Sequence, residues 1–93
     1  MPVVTLYEGI TDGRFDLVLQ AFPRHSAYVE EFAKSGDLIA IGTFENPAEN
    51  GSMAIFRTRE AAERFIGQDP FQLDGLIVAV RIMDWGASTY GEL

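Results

Sequence analysis

The sequence predicts an α+β fold in which two helices pack on one antiparallel sheet. Three observations support this fold class: four short segments are rich in β-branched and aromatic residues, two longer segments carry apolar residues at helical spacing, and glycine or proline separates most of them. The chain has 93 residues, enough for one modest hydrophobic core and too few for two. We therefore expect a single domain over residues 1–93, with an irregular tail over about 84–93.

The first predicted strand is Val3–Tyr7, a β-branched and aromatic run. Phe15–Phe22 is predicted to be a short helical segment that precedes the first full helix. It is expected to stop there because Pro23 disfavours helical backbone angles at the residue before it. Pro23 itself suits the first turn of the first full helix, which is expected to end at Gly36. The apolar face of this helix consists of Tyr28, Val29, Phe32 and Ala33.

The second and third strands are predicted within Asp37–Glu45 and Gly51–Thr58. The connection between them is dense in turn-forming residues, so the two strands are expected to pair as a hairpin. Thr58 suits the N-cap of a second helix, and Asp69-Pro70 should end that helix. Its apolar face consists of Ala61, Ala62, Phe65 and Ile66.

Leu76–Met83 is the fourth predicted strand and completes the order strand, helix, strand, strand, helix, strand. This order is the ferredoxin-like βαββαβ arrangement, with both helices on one face of an antiparallel sheet. The open face of such a sheet is ordinarily polar. Here strict alternation makes both faces apolar. In the fourth strand one face carries Leu76, Val78, Val80 and Ile82, and the other carries Ile77, Ala79 and Met83. In the second strand one face carries Leu38, Ala40 and Phe44, and the other carries Ile39 and Ile41.

An apolar open face needs a cover, and a second copy of the chain related by a two-fold axis supplies one. The sequence therefore predicts a homodimer. The alternative is that the tail around Trp85 folds back over the open face of its own sheet.

Composition and charge exclude several classes of function. The net charge of −7 has the wrong sign for binding a nucleic acid backbone. The chain has no cysteine and one histidine, so neither a disulfide framework nor a structural zinc site is expected, and no motif implies another metal, a nucleotide or a cofactor. Neither a membrane-spanning run nor a secretory signal is evident, so a cytoplasmic protein is predicted.

His25 is the leading candidate for chemistry, because histidine transfers protons near neutral pH. Its predicted place in the first turn of a helix would favour the neutral imidazole, the form that a general base needs. Asp69 follows the second helix, and the topology can bring its carboxylate to His25, where it would fix the tautomer of the ring. The alternative is that His25 is an ordinary core histidine and Asp69 a turn residue.

Other residues are weaker candidates. Tyr28 shares a helix face with His25, and Tyr28, Arg24 and Phe71 are expected to contribute to a substrate pocket. Ser26 adjoins His25 but faces elsewhere on a helix, so a Ser-His-Asp triad is not expected.

The sequence resembles the YCII-related (YciI-like) family over nearly its whole length. The resemblance rests on Pro23-Arg24-His25 followed by Ala27-Tyr28, on Gly36-Asp37-Leu38 and Gly42, and on a final strand that runs into Trp85. Its most specific part is Glu60-Ala61-Ala62 leading to Asp69-Pro70-Phe71 and Gly75-Leu76.

The resemblance implies a ferredoxin-like fold, dimers of the α+β barrel type formed around the sheets, and a histidine–aspartate pair that falls by motif on His25 and Asp69. It also implies acid/base chemistry on small cyclic or aromatic compounds, as in a related dehydrochlorinase and, more distantly, in muconolactone isomerases. The chain departs from the family pattern at Phe22, where many members have an arginine, and at Thr43, where proline is common. Arg24 would have to replace the missing arginine, or the substrate differs.

The sequence thus favours a small lyase- or isomerase-like enzyme in which His25 moves a proton and Asp69 orients it. Two alternatives remain open. One is a non-catalytic ligand-binding or accessory domain, and the other is a cofactor-independent monooxygenase of the same barrel type.

Overall fold

The computed structural model describes residues 1–77 and 80–91, which form four strands and four helical segments. The strands are β1 (Val3–Tyr7), β2 (Leu38–Thr43), β3 (Ser52–Phe56) and β4 (Val80–Asp84). The helices are α1 (Phe15–Ala33), α2 (Pro47–Asn50), α3 (Arg59–Gln68) and α4 (Pro70–Leu73). Among these described residues, no helix is long and apolar enough to cross a membrane.

The strands form one sheet in the order β2-β3-β1-β4, and each neighbouring pair is antiparallel. The central pair is β1 and β3, with Val3 opposite Phe56 and Tyr7 opposite Ser52. β2 pairs with β3, as the predicted hairpin required, and the strand order confirms the ferredoxin-like α+β fold class.

The hydrophobic core lies between the sheet and α3. Alternation along the strands places Val3, Ala54 and Phe56 on the face that meets the helices. They pack against Ala61, Ala62 and Phe65 of α3, each of which is fully buried. Partly buried side chains of α1 complete this core, namely Tyr28, Val29 and Phe32.

The structure corrects the predicted break at Pro23, because α1 runs without interruption from Phe15 to Ala33. A proline inside a helix removes one hydrogen bond and clashes with the preceding turn, at a cost of ~3 kcal/mol. Ala21 and His25, on either side of the proline, are both buried. Burial of one continuous face on both sides of Pro23 therefore outweighs the local preference. As a result His25 lies in the middle of α1, and the end of a helix does not act on it.

The predicted alternation along β2 is also wrong. A β-bulge between Leu38 and Ala40 shifts the pairing with β3, so that Leu38 lies opposite Phe56 and Ile41 opposite Ala54. Because Phe56 and Ala54 face the helices, Leu38 and Ile41 do so as well, and Ala40 joins the open face. The predicted alternation fails because the bulge adds one residue to β2, which moves the residues after it to the opposite faces of the sheet.

Among the described residues, the fourth strand covers Val80–Asp84 and ends within the expected irregular tail, while Leu76 and Ile77, which the sequence assigned to this strand, lie outside it. Val78 and Ala79, assigned by the sequence to this strand, lie outside the described residues, as do 92 and 93 of the tail. Beyond Asp84, the amide of Trp85 donates a hydrogen bond to the carbonyl of Pro2 at 2.8 Å, which extends the pairing of β4 with β1.

The open face of the sheet carries a shallow apolar groove lined by Val4, Leu6, Met53 and Trp85. Val4 is buried, while Leu6 and Met53 are half-buried and Trp85 keeps 43% of its surface exposed. Trp85 lies on this face as the residue that follows β4, and an apolar surface remains beside it.

Candidate active site

The turn after α3 builds one side of the site. Asp69 adopts an extended backbone between α3 and α4, with Pro70 at the first helical position of α4. Its side chain is completely buried, and its Oδ1 accepts a hydrogen bond from the backbone N–H of Phe71 at 3.0 Å. The local sequence Asp69-Pro70-Phe71 therefore holds the carboxylate in one place before any other element contributes.

His25 meets this carboxylate from α1. Its Nδ1 lies 2.9 Å from Oδ1 of Asp69, across 44 positions of sequence. An ionised carboxylate accepts hydrogen bonds and cannot donate them, so Nδ1 carries the proton. Nε2 has no hydrogen-bond partner among the described residues. In the neutral ring Nε2 is then the basic nitrogen.

Aromatic rings fix the plane of the imidazole. Phe71 stacks on it with the ring centroids 4.0 Å apart and the planes 9° from parallel. Phe65 contacts it edge-on at 6.4 Å and 86°, and the Phe22 ring lies at 5.9 Å. These contacts leave the His25 side chain only 11% exposed. The imidazole is thus held by packing as well as by its hydrogen bond.

A cavity of about 500 Å³ opens beside His25, between the N-terminal half of α1 and the sheet. This volume is in the range of small-molecule sites. Its walls are mainly apolar and come from several elements. The apolar residues are Ile10, Phe15, Val18, Leu19, Phe22, Val29, Ile41, Pro47, Phe71, Leu76 and Ile77, and the residues with polar side chains are Tyr7, Glu8, His25, Ser26, Thr43 and Ser52.

The structure brings some of the predicted pocket residues together and leaves others apart. Phe71 lines the cavity and stacks on His25. Tyr28 points into the core instead, where its hydroxyl donates to the carbonyl of Phe65 at 2.7 Å. Arg24 forms an ion pair with Asp74 at the surface and is not among the residues that line the cavity. Phe22, at the position where relatives often carry an arginine, lines it directly.

Sequence reasoning missed Tyr7 and Glu8, which border the cavity at the end of β1. The sequence indicated only a strand-forming role for Tyr7 and did not single out Glu8. Alternation along β1 was the available signal for Tyr7, because it places Tyr7 on the same side as Val3 and Thr5, toward the helices.

The charge of Asp69 acts on the tyrosines around it. Burial, and after it the negative charge of Asp69, raises the pKa of Tyr28 to about 12, although Arg64 works in the opposite direction. The Tyr28 phenol therefore stays protonated at neutral pH and serves as a hydrogen-bond donor.

Taken together, these contacts place an imidazole, a carboxylate bonded to it and a cavity side by side. The Nδ1 proton is fixed by a buried carboxylate, and the opposite nitrogen belongs to a residue on the cavity wall. Such an arrangement can take a proton from a bound molecule and return it. Within residues 1–77 and 80–91, no group of three histidine or acidic side chains is placed to hold a metal ion.

Comparisons with known proteins agree with this fold. The chain is similar in structure to the 5-chloro-2-hydroxyhydroquinone dehydrochlorinase of Burkholderia phenoliruptrix, solved in complex with 2,5-dihydroxybenzoquinone. The TM-score is 0.73 at 20% identity, over 95% of this chain and 96% of that one. No curated protein matches the sequence. The family model of the YCII-related domain matches residues 2–86, nearly the whole chain. The chain therefore belongs to the YCII-related family.

Proposed function

We propose that the protein is a small enzyme of the lyase or isomerase type, in which His25 is the general base and acid and Asp69 orients it. The observation that carries this proposal is the 2.9 Å hydrogen bond between Nδ1 of His25 and Oδ1 of Asp69 on the wall of a cavity. A lone surface histidine would have neither a fixed tautomer nor a binding space beside it.

The proton balance of such a reaction is simple. Nε2 of His25 takes a proton from a hydroxyl or an acidic C–H of the substrate, and the resulting imidazolium is stabilised by Asp69. In an isomerisation the same proton returns to another atom of the substrate. In an elimination an anionic leaving group departs with its bonding electrons, and the proton passes to solvent.

The substrate class that fits the cavity best is a small, flat and uncharged ring compound with hydroxyl groups. Apolar and aromatic side chains form most of the wall, and Glu8 together with the buried Asp69 makes the local field negative, which disfavours a carboxylate ligand. Arg14 pairs with Asp12 and Arg24 with Asp74, and neither arginine lines the cavity. The structurally similar dehydrochlorinase acts on a chlorinated hydroxyhydroquinone, which supports this choice.

The first test is a search for ligands by thermal protection, followed by turnover. A panel of hydroquinones, phenols, hydroxyquinones and lactones is screened for an increase in Tm, because a ligand that binds only the folded state stabilises it by mass action. Any compound that protects is then assayed for conversion. His25→Ala is expected to lower kcat by ~10²–10⁴-fold, the usual contribution of a general base.

Two further variants make the result decisive. His25→Gln keeps a donor for Asp69, so a similar loss of kcat in a folded protein separates chemistry from stability. Arg24→Gln removes only a surface ion pair outside the cavity and should leave turnover unchanged. If His25→Gln retains full turnover, His25 is not the base.

The alternative of a non-catalytic accessory domain has its own signature. The His25–Asp69 bond ties α1 to the start of α4. A purely structural role therefore predicts a large loss of stability when either His25 or Asp69 is substituted. Ligand protection would then be unaffected in folded variants. The monooxygenase alternative and the cytoplasmic location stay predictions from the sequence.

We also propose that the protein works as a homodimer through the open face of its sheet. The groove around Leu6, Met53 and Trp85 is an apolar surface on the side opposite the helices. A two-fold axis through this face would bury the same residues from both copies.

A further inference from the structure

Three buried polar side-chain atoms have no hydrogen-bond partner among the described residues, namely Oδ2 of Asp69, the hydroxyl oxygen of Tyr7 and that of Thr5. The first belongs to the carboxylate that meets His25, and Tyr7 lines the same cavity as His25. Leaving such an atom unpaired costs ~1–3 kcal/mol, so each one calls for a partner. Because the Tyr7 hydroxyl is itself inaccessible, the part of Tyr7 that lines the cavity is not its hydroxyl group.

The Tyr7 hydroxyl and Oδ2 of Asp69 are complementary as hydrogen-bonding groups. Burial, then the charge of Asp69 and its capacity to accept a hydrogen bond, raise the pKa of Tyr7 far above its usual value of 10.0. The phenol is therefore protonated and offers a donor, while Oδ2 offers an acceptor. A hydrogen bond from the Tyr7 hydroxyl to Oδ2 of Asp69 would satisfy both atoms.

We propose that Tyr7 is a positioning residue: its hydroxyl donates to Oδ2 of Asp69 and holds the carboxylate with Oδ1 toward Nδ1 of His25. Oδ1 already accepts from His25 and from the amide of Phe71. A donor on Oδ2 prevents rotation of the carboxylate about its Cβ–Cγ bond. The inference extends the His25–Asp69 pair of the proposed function, but it can be tested without any substrate.

The test is the tautomer of His25, observed by ¹⁵N NMR in Tyr7→Phe and in the matched control Tyr28→Phe. His25 is the single histidine of the chain, so its two ring nitrogens are assigned without ambiguity. The control also removes one phenolic hydroxyl from the same core, but that hydroxyl donates to the carbonyl of Phe65. Measurements are made at a pH where the ring is neutral.

The unsubstituted protein and Tyr28→Phe should show two widely separated ¹⁵N resonances, one for protonated Nδ1 and one for unprotonated Nε2. Tyr7→Phe should move these resonances toward each other, because the released carboxylate no longer selects one tautomer. Unchanged resonances in Tyr7→Phe overturn the proposal. An equal shift in Tyr28→Phe does so too, since the effect would then be general loosening of the core.

A crystal structure of the unsubstituted protein provides a second test that does not depend on the variants folding. The distance from the Tyr7 hydroxyl oxygen to Oδ2 of Asp69 should be about 2.5–3.0 Å, as in an O–H···O bond. A distance beyond about 3.5 Å, or another donor on Oδ2, overturns the proposal. Failure of the proposed catalytic function would appear separately, as turnover that does not depend on His25.

Discussion

Asp69 is a completely buried carboxylate with two donors on a single oxygen, His25 Nδ1 and the amide of Phe71. Burial of a carboxylate is costly, and hydrogen bonds to the charged form offset that cost. The same residue therefore ends α3, begins α4 and orients the imidazole. These roles require a short side chain whose carboxylate reaches both the following backbone and the imidazole.

At the residue scale, Thr5 tests whether a buried hydroxyl without a hydrogen-bond partner destabilises the core. Its side chain is completely buried and its hydroxyl has no partner among the described residues. Thr5→Val replaces the hydroxyl with a methyl group of similar size, so we expect the free energy of unfolding to rise by about 1–2 kcal/mol. Urea denaturation followed by circular dichroism measures the change.

Thr58→Val is the matched control for this substitution. The Thr58 hydroxyl accepts a hydrogen bond from the amide of Ala61 at 3.1 Å and caps α3. Its loss should lower the free energy of unfolding by about 1 kcal/mol, with the opposite sign to Thr5→Val. A clear loss of stability in Thr5→Val would mean that its hydroxyl has a partner.

The buried phenols predict the alkaline limit of stability. The pKa of Tyr28 is raised from 10.0 to about 12, and that of Tyr7 is raised further, in both cases first by burial and then by Asp69. Above pH 10.0 the unfolded chain releases these protons while the folded chain keeps them. Since the unfolded state then binds fewer protons, the free energy of unfolding should fall as pH rises.

This stability is fully present below about pH 10, and the part due to Tyr28 is lost progressively up to about pH 12. Urea denaturation over a pH series measures the slope, and phenolate absorbance follows the ionisation. Tyr28→Phe should make the slope shallower. A slope that is equally steep without Tyr28 would assign the alkaline loss to other groups.

At the scale of elements, α1 shows how tertiary packing overrides a local signal. Pro23 disfavours a helical Phe22, yet the helix continues through it and presents His25 on its buried face. The C-terminal half of α1 packs on the core through Tyr28, Val29 and Phe32, whereas residues from Phe15 as far as Val29 line the cavity. One helix thus contributes both to the core and to the wall of the site.

The junction of β1 and β3 depends on Gly51. Its backbone has φ 77° and ψ −149°, and a Cβ atom there would lie 1.8 Å from the carbonyl oxygen of Tyr7. Gly51→Ala should therefore lower the free energy of unfolding by more than about 4 kcal/mol or prevent folding, because backbone must move against backbone. Urea denaturation and circular dichroism measure the loss.

Gly36→Ala separates backbone strain from the clash. Gly36 also has a positive φ, 80°, but nothing lies within 4 Å of its hypothetical Cβ. Gly36→Ala should lower the free energy of unfolding by only about 1–2 kcal/mol, because alanine disfavours a left-handed backbone conformation. Equal costs in the two variants would show that the contact with Tyr7 relaxes freely.

At the scale of the whole molecule, the two faces of the sheet have different tasks. One face meets the helices, buries the core and borders the cavity. The other carries the apolar groove of Leu6, Met53 and Trp85. This division is what the proposed homodimer requires, since the site and the dimer interface then occupy opposite sides of one layer.

Leu6→Glu tests the dimer, because it places a charge in the centre of the open face on a central strand. We expect the unsubstituted protein to elute as a dimer in size-exclusion chromatography with light scattering, and Leu6→Glu as a folded monomer. Leu73→Glu is the control, since Leu73 lies on α4 and is already 65% exposed. A monomeric unsubstituted protein at micromolar concentration would contradict the homodimer.

How far local sequence predicts this molecule varies from element to element. Val3–Tyr7 is identified correctly as a strand, and Thr58 as the cap of the second predicted helix, because β-propensity and capping depend on neighbouring residues. The bulge in β2 was not visible, because it depends on how Leu38 and Ile41 meet β3. The continuity of α1 was missed for a similar reason.

By itself, the sequence determined the order of the elements, the fold class and the candidates His25 and Asp69, since these follow from periodicity, turn chemistry and family resemblance. Only the tertiary structure decided that the imidazole and the carboxylate meet at 2.9 Å, that Arg24 stays outside the cavity and that Tyr7 borders it. The physical reason is distance along the chain. Local interactions choose helices and strands, whereas a site made from residues 44 positions apart exists only once the elements have packed.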